Sequence, residues 1–426
     1  MRSDLNLVSK SCKDLLQPVE EVVGRINCDD ADDDVEKENK KMAQVVGRKV
    51  VARRSEEQVV ALAKAVAAAK ESRAAKEEQA NAASTGQADP LSVDNEIDTE
   101  VGFDENFKAP IVWRNIVLFI ILHSSLPIGV YMLATQWPYK TLAWMLFGIY
   151  ASGLGVTGGS HRLWSHRAYK AGLPVEVFLM LLQTMAGQNS IYTWSRDHRV
   201  HHKFAETNAD PHNIKRGFFF AHMGWLCCKK HPDVKEKGAK IDMSDLEANP
   251  VVMFQHKHFW WLSVVCNVLL PTMVPVWFWA ERFWTSFVFS FMIRYLVTLH
   301  GTWLVNSAAH YYGERPYDKR IEARESPFVI LTGLGEGFHN YHHTFPYDYS
   351  TSEFGKYFNI TTAFIDLCAS LGLVHSRKKV DRELILKRQM RTGDQSHKVL
   401  AKQLLARQNH DDSDSVHSYA YLCNSI

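Results

Sequence analysis

The 426-residue sequence has no excess of charge of either sign: 49 lysines and arginines stand against 47 acids. That balance gives no surface-wide basic footprint, so no nucleic-acid partner is expected. The chain also has no CxxC pair. Its seven cysteines, Cys12, Cys28, Cys227, Cys228, Cys266, Cys368 and Cys423, follow no regular spacing. This excludes a zinc ribbon and a disulfide framework and fits free thiols in a reducing compartment. The opening residues contain no apolar stretch ahead of a small-residue cleavage site, so no cleaved signal peptide is expected and membrane insertion must start internally. A mean hydropathy of -0.22 would suit a soluble protein. It averages polar ends with an intensely apolar middle.

Residues 1–108 read as a mostly disordered polar head. Within it, "EEQVVALAKAVAAAKESRAAKEEQANAAST" favours helix but has few large apolar groups to bury. A solvated helix is expected there, with a short coiled coil as the alternative. Residues 109–375 read as one membrane domain. Four apolar stretches, 111–134, 139–158, 259–280 and 284–305, reach the roughly 20 residues that a helix needs to cross a bilayer. Trp113, Trp137, Tyr139, Trp260, Trp261, Trp277, Trp279 and Trp284 lie near their ends, as interfacial aromatics do. Very short linkers make each pair a helical hairpin. The segment after the second stretch carries Arg162, Arg167, Lys170, Arg196, Arg199, Lys203, Lys215, Arg216, Lys229 and Lys230. The positive-inside rule puts that segment and both termini in the cytosol. Two shorter runs, "VEVFLMLLQTM" and "GFFFAHMGWLCC", suit interfacial or buried helices. Arg294, inside the fourth stretch without an acid in the other spans, must either snorkel or pair with backbone carbonyls.

Histidine is concentrated in four places: "HRLWSH" (His161, His166), "HRVHH" (His198, His201, His202), "NSAAH" (Asn306, His310) and "HNYHH" (His339, His342, His343). An even number of crossings separates them, so all lie on one side. On a helix, residues three and four apart have Cβ atoms about 5–6 Å apart, so each HxxHH turns several imidazoles towards one or two ions. His161 and His166 would be splayed by about 140° on an α-helix. They are expected to bracket a helix end or to serve different metals. The other histidines, among them His123, His212, His222 and His300, read as packed or solvated residues. Nine imidazoles exceed the four ligands of one zinc, which points to two metals. Imidazole alone does not choose among iron, zinc, copper and nickel. Two redox-capable metals beside a membrane suit oxygen chemistry on an unactivated C–H bond of an apolar substrate.

At "GGSHRLWSHRAYKA", "WSRDHRVHHKFAETNADPHN", "GTWLVNSAAH" and "GEGFHNYHHTFPYDYSTSE" the chain resembles the membrane acyl-CoA desaturases of animals, the stearoyl-CoA 9-desaturase type. The likeness spans roughly residues 108–380. It implies an all-α membrane protein, with four transmembrane helices in two hairpins and a cytosolic helical cap that holds a histidine-rich dimetal site. The implied reaction inserts a cis double bond, at carbon 9, into a saturated fatty acyl-CoA in the endoplasmic reticulum membrane. It uses two Fe2+, O2 and electrons passed from NADH by cytochrome b5 reductase and cytochrome b5. By the resemblance the metal ligands are His161, His166, His198, His201, His202, His310, His339, His342 and His343, with Asn306 acting through water. Asn115, Asn189, Arg196, Lys229 and Lys230 match contacts to coenzyme A, Trp194 and Thr302 match the bend of the acyl tunnel, and Ile149 and Gly153 match its far end. Lys229 stands where the family often has arginine. Ile149 stands where an aromatic is common, so a roomier tunnel end and longer substrates are expected. No HPGG haem motif is present, so the electron donor is expected to be a separate protein. Residues 376–426 read as a basic and then disordered tail, whose basic part either attracts anionic lipid or forms a solvated helix. Two other functions fit part of this pattern: a membrane lipid hydroxylase with similar histidine boxes, and a four-span zinc transporter.

Overall fold

Long helices form wherever the apolar stretches predict them, and they continue further. A computed structural model describes residues 101–396. The helix-favouring stretch of the head and the last part of the tail lie outside the described residues. Four helices are long and apolar enough to cross a membrane: Trp113–Gln136, Tyr139–Ser165, Pro250–Trp279 and Phe283–Tyr311. The second and fourth run past the expected ends at 158 and 305, and the third begins at Pro250 rather than Phe259. Hydropathy marks only the apolar part of each helix, while backbone hydrogen bonding carries it on into the polar histidine-bearing turns. Trp137–Pro138 joins spans one and two, and Ala280–Arg282 joins three and four. Both turns begin with a residue in the left-handed region, Trp137 at φ 43° and Ala280 at φ 54°.

Span four is the axis of the bundle. Its Val288, Phe289 and Ile293 pack with Met132 and Leu133 of span one and with Leu142 and Met145 of span two. Further along, Leu296, Leu299 and Trp303 meet Leu122. The opposite faces show Val130, Trp260, Trp261 and Phe278 to the outside, as lipid-facing surfaces do. Spans two, three and four each contain a π-helical stretch: Gly155–Ser165, Val264–Leu269 and Phe287–Ile293. Next to the last of these, Arg294 is buried. It does not snorkel. It donates to the carbonyl oxygens of Ser290 (2.9 Å), Met185 (3.1 Å) and Asn267 (2.9 Å), and to the Asn267 side chain. Backbone oxygens thus take the place of the missing acid.

A cap of shorter helices covers the histidine end of the bundle. Leu173–Ala186 contains the first short apolar run; it buries Val175, Leu179 and Met180 and exposes Leu173, Val177 and Phe178. The second run forms a continuous helix over 218–227, π-helical at Phe220–Gly224 and α-helical at Trp225–Cys227. Ser190 caps Ile191–Lys203 by accepting from the Thr193 amide. The folded region exceeds the expected 109–375 at both ends. Val101 packs with Val200, Phe204 and Ala209. Arg382–Thr392 is a helix whose Ile385 packs with Tyr317, Tyr341 and Phe345, while its Arg388 donates to Asp318 at 2.7 Å. This part of the tail is neither disordered nor a merely solvated helix, because its "LIL" segment supplies apolar groups on the face turned to the cap.

Candidate metal centre

The π-helical end of span two changes the geometry of the first histidine pair. Hydrogen bonds in a π-helix join residues five apart, and the His166 amide donates to the His161 carbonyl oxygen at 3.2 Å. The two rings stand 5.0 Å apart and fall in one group of nitrogens. His166 does cap the helix, as one of the two expectations had it.

All nine histidines converge, in two groups. His161, His166, His198, His202 and His342 offer one set of nitrogens, and His201, His310, His339 and His343 offer the other. Within each set the ligating atoms lie within 4.8 Å of one another. The HxxHH boxes divide between them. In Ile191–Lys203, His198 and His202 are a turn apart and share the first group, while His201 turns to the second. In His339–Thr344 the division is reversed, with His339 and His343 in the second group and His342 in the first.

Two carboxylates orient this set. Glu336 Oε2 lies 2.9 Å from His161 Nδ1, and Asp210 Oδ1 accepts from His201 Nδ1 at 2.9 Å. A carboxylate at Nδ1 keeps the proton there and leaves Nε2 with its lone pair free. Burial alone would push the Glu336 carboxyl up, but the Arg162 guanidinium and His161 outweigh it and bring it down to about 2. For Asp210, burial is likewise outweighed by His201 and His212, and its carboxyl stays well below the usual range. Burial also holds His166, His198, His202, His339, His342 and His343 well below the ordinary histidine value, in the neutral ligand form.

The donor set fits metal ions. His161 Nε2 is 2.8 Å from His342 Nε2, which is itself 2.9 Å from His202 Nε2; His310 and His339 approach to 3.0 Å. Neutral imidazoles that turn lone pairs on one another repel at this separation, and a cation between them removes the conflict. Glu336, Arg162, Asp210 and His212 were not singled out by sequence reasoning as parts of the site. The signals for them were the acid between two glycines in "GEG" and the "DPH" that follows the second box.

Two cavities meet at this centre. One of about 750 Å³ is lined by Asn115, Gln188, Asn189, Trp194, Thr302 and Asn306, among others. A second, of about 430 Å³, shares Trp194, His198, Thr302 and Asn306 and runs past Gly153 and Ile149 to Leu146. The expected bend residues therefore stand where the two join. Gln188 Nε2 donates to Thr302 Oγ1 there at 2.8 Å. Arg196 and Lys230 line a separate polar hollow of about 450 Å³ and both pair with Asp197. Lys229 lines none of the three. The room expected beside Gly153 is partly taken: the Leu334 side chain packs against it. His123, His300 and His222 are packed residues, joined in a hydrogen-bonded row (3.1 and 2.9 Å) behind Trp303.

Four apolar spans capped by two converging imidazole groups, with two adjoining cavities beside them, define a membrane-embedded protein with a histidine-rich metal-type centre. The chain belongs to the fatty acid desaturase family, whose pattern it matches over residues 135–366. It is 54% identical over 291 residues to stearoyl-CoA desaturase 4 of Mus musculus, an alignment covering 68% of this chain and 82% of that protein. To stearoyl-CoA desaturase of Homo sapiens it is 53% identical over 291 residues, 68% and 81% of the two chains. To an acyl-CoA desaturase of Cyprinus carpio it is 51% identical over 314 residues, 72% and 95%.

Proposed function

We propose that this protein is an acyl-CoA desaturase that inserts a cis double bond, at carbon 9, into saturated fatty acyl-CoA. The observation that carries this reading is the pair of cavities whose junction, at Trp194, Thr302 and Asn306, borders His198. The names of the relatives supply the substrate class. The nine histidines are read as ligands of two irons, with Asn306 acting through water. When bound, and supplied with O2 and electrons, such a pair provides the oxidising power for unactivated C–H bonds that no side chain has.

The residues of the chain perform the rest. Neutral imidazoles, oriented through Glu336 and Asp210, keep their lone pairs aimed inward. The bend presents the middle of the acyl chain to the centre and leaves the methyl end in the arm lined by Ile149 and Gly153. Apolar walls keep water from that arm. Asn115 and Asn189 hold the polar part of the thioester near the wide cavity, and Arg196, Lys229 and Lys230 attract the phosphates. The concentration of cations after span two supports a cytosolic cap and cytosolic termini. An endoplasmic-reticulum location and delivery of electrons from NADH through cytochrome b5 reductase and cytochrome b5 complete the reading.

The test is expression in yeast lacking its own desaturase, with double bonds located by mass spectrometry of derivatised methyl esters. New monounsaturated acids with the bond at carbon 9 are the expected result. Hydroxylated products, or none from membrane-inserted, iron-loaded protein supplied with a coupling donor, would overturn the reading.

A further inference from the structure

Gly153 leaves a gap on span two, and the fold fills that gap from the other side of the cavity. A Cβ placed on Gly153 would lie 2.6 Å from Leu334 Cδ1 and 3.6 Å from its Cγ. Both residues line the arm of about 430 Å³, together with Ile149 and Leu146. The contact lies eight residues before His161 on the same helix, on the order of 10 Å along it. Gly153 and Leu334 therefore meet well beyond the metal centre, on the path of the methyl end.

Leu334 is buried and has a φ of +57°. Leucine is rare in that region because its Cβ crowds the carbonyl that follows, so the surroundings must hold it there. They do so from both sides. The Gly333 amide donates to Val329 O at 2.8 Å and the Gly335 amide to Ile330 O at 3.0 Å. Gly335, at φ +100°, is pressed against Asn359 so closely that a Cβ would come within 2.6 Å of its Cγ. The next residue, Glu336, is fixed by Arg162 and His161. A turn clamped this way aims one apolar side chain into the cavity and keeps it there.

We propose that Leu334 is a specificity-determining residue whose side chain closes the acyl cavity against Gly153 and so limits the length of chain accepted. The proposal rests on the desaturase reading above. Gly153 and Leu334 act as a complementary pair: the side chain absent from one is the space occupied by the other. Because Leu334, Glu336 and His339 share one short segment, the stop and the metal box keep a fixed separation.

The test uses the full chain in desaturase-deficient yeast supplied with a mixture of saturated acids, reading the ratio of unsaturated products from stearate and palmitate. Leu334→Ala is expected to raise that ratio on the order of ten-fold, the effect of giving two more methylenes an apolar place. Gly153→Ala is expected to lower it, because the added methyl drives Leu334 into the cavity. The double variant should keep most of the Leu334→Ala ratio, since the Gly153 methyl acts by driving Leu334 inward and finds little to drive once that side chain is gone. Leu334→Met, longer but still apolar, should shift the ratio as Gly153→Ala does, which keeps the idea testable if the alanine variant does not fold. Leu334→Ala that makes product at an unaltered ratio, or single effects that simply add, would overturn the proposal. A parent chain with no product from any acid would overturn the desaturase reading beneath it.

Discussion

Behind the first imidazole group stands a carboxylate paired with a cation: Glu336, which accepts from Arg162 at 2.6 and 3.2 Å. Behind the second stands Asp210, whose ion-pair partners among the described residues are imidazoles and which also accepts from the backbone amides of Glu206 (3.0 Å) and His212 (3.1 Å). Both carboxylates are buried and both are held ionised, Glu336 chiefly by the Arg162 charge and Asp210 chiefly by His201 and His212, with backbone amides adding less. The difference teaches where each group is fragile. A cation without its anion is a buried uncompensated charge, whereas an amide without its anion has lost one hydrogen bond.

The largest expected effect treats the two groups alike. His342→Ala should abolish desaturation and lower the bound metal while the fold persists, measured by product analysis and metal content of the purified protein. Retained activity would remove His342 from the centre. Next, Glu336→Gln strands Arg162, which has no exposed surface, and should cost about 3–5 kcal/mol of stability. Thermal unfolding measures this, and Arg162→Met in the same chain should recover part of the loss. Asp210→Asn should cost less stability, about 1–3 kcal/mol, and act mainly on metal affinity, lowered roughly 10–100-fold. Equal losses of stability in the two variants would break the comparison.

The smallest effect concerns a third carboxyl, held the opposite way. Glu325 accepts from the Tyr341 amide at 2.8 Å. Desolvation pushes its carboxyl up to about 8. A raised carboxyl contributes stability that is complete below its unfolded value, near 4.5, and is lost as pH rises through about 8. Melting measured at pH 6 and pH 9 should therefore show a smaller alkaline loss in Glu325→Gln than in the parent chain.

The sequence displayed the four spans and the nine histidines because both rest on residue type and spacing, which need no partner to be read. How the histidines divide was not legible. That division depends on which face of Ile191–Lys203 and His339–Thr344 meets which neighbour, and on a helix type at Gly155–Ser165 that hydropathy does not encode. Arg162 looked like any positive charge following a span, yet it is buried among Glu336, Thr362 and Asn359. The gap at Gly153 was visible, but Leu334, which fills it, stands 181 positions away in a turn whose direction only the fold shows. The helix at Arg382–Thr392 was obscured by its own charge: a few apolar residues among charged ones are enough when one face is covered.

The π-helical end of span two bears on how such chains gain and lose residues. A π-turn amounts to an α-turn that has accommodated one additional amino acid. Remove one residue between His161 and His166 and the remaining spacing of four is the one at which an ordinary α-helix stacks side chains on one face. A single-codon insertion or deletion inside the first histidine box can thus be absorbed as a change of helical pitch, with the pair still on one face. In an alignment of relatives, a one-residue gap at that box would mark a switch of helix type rather than a lost ligand.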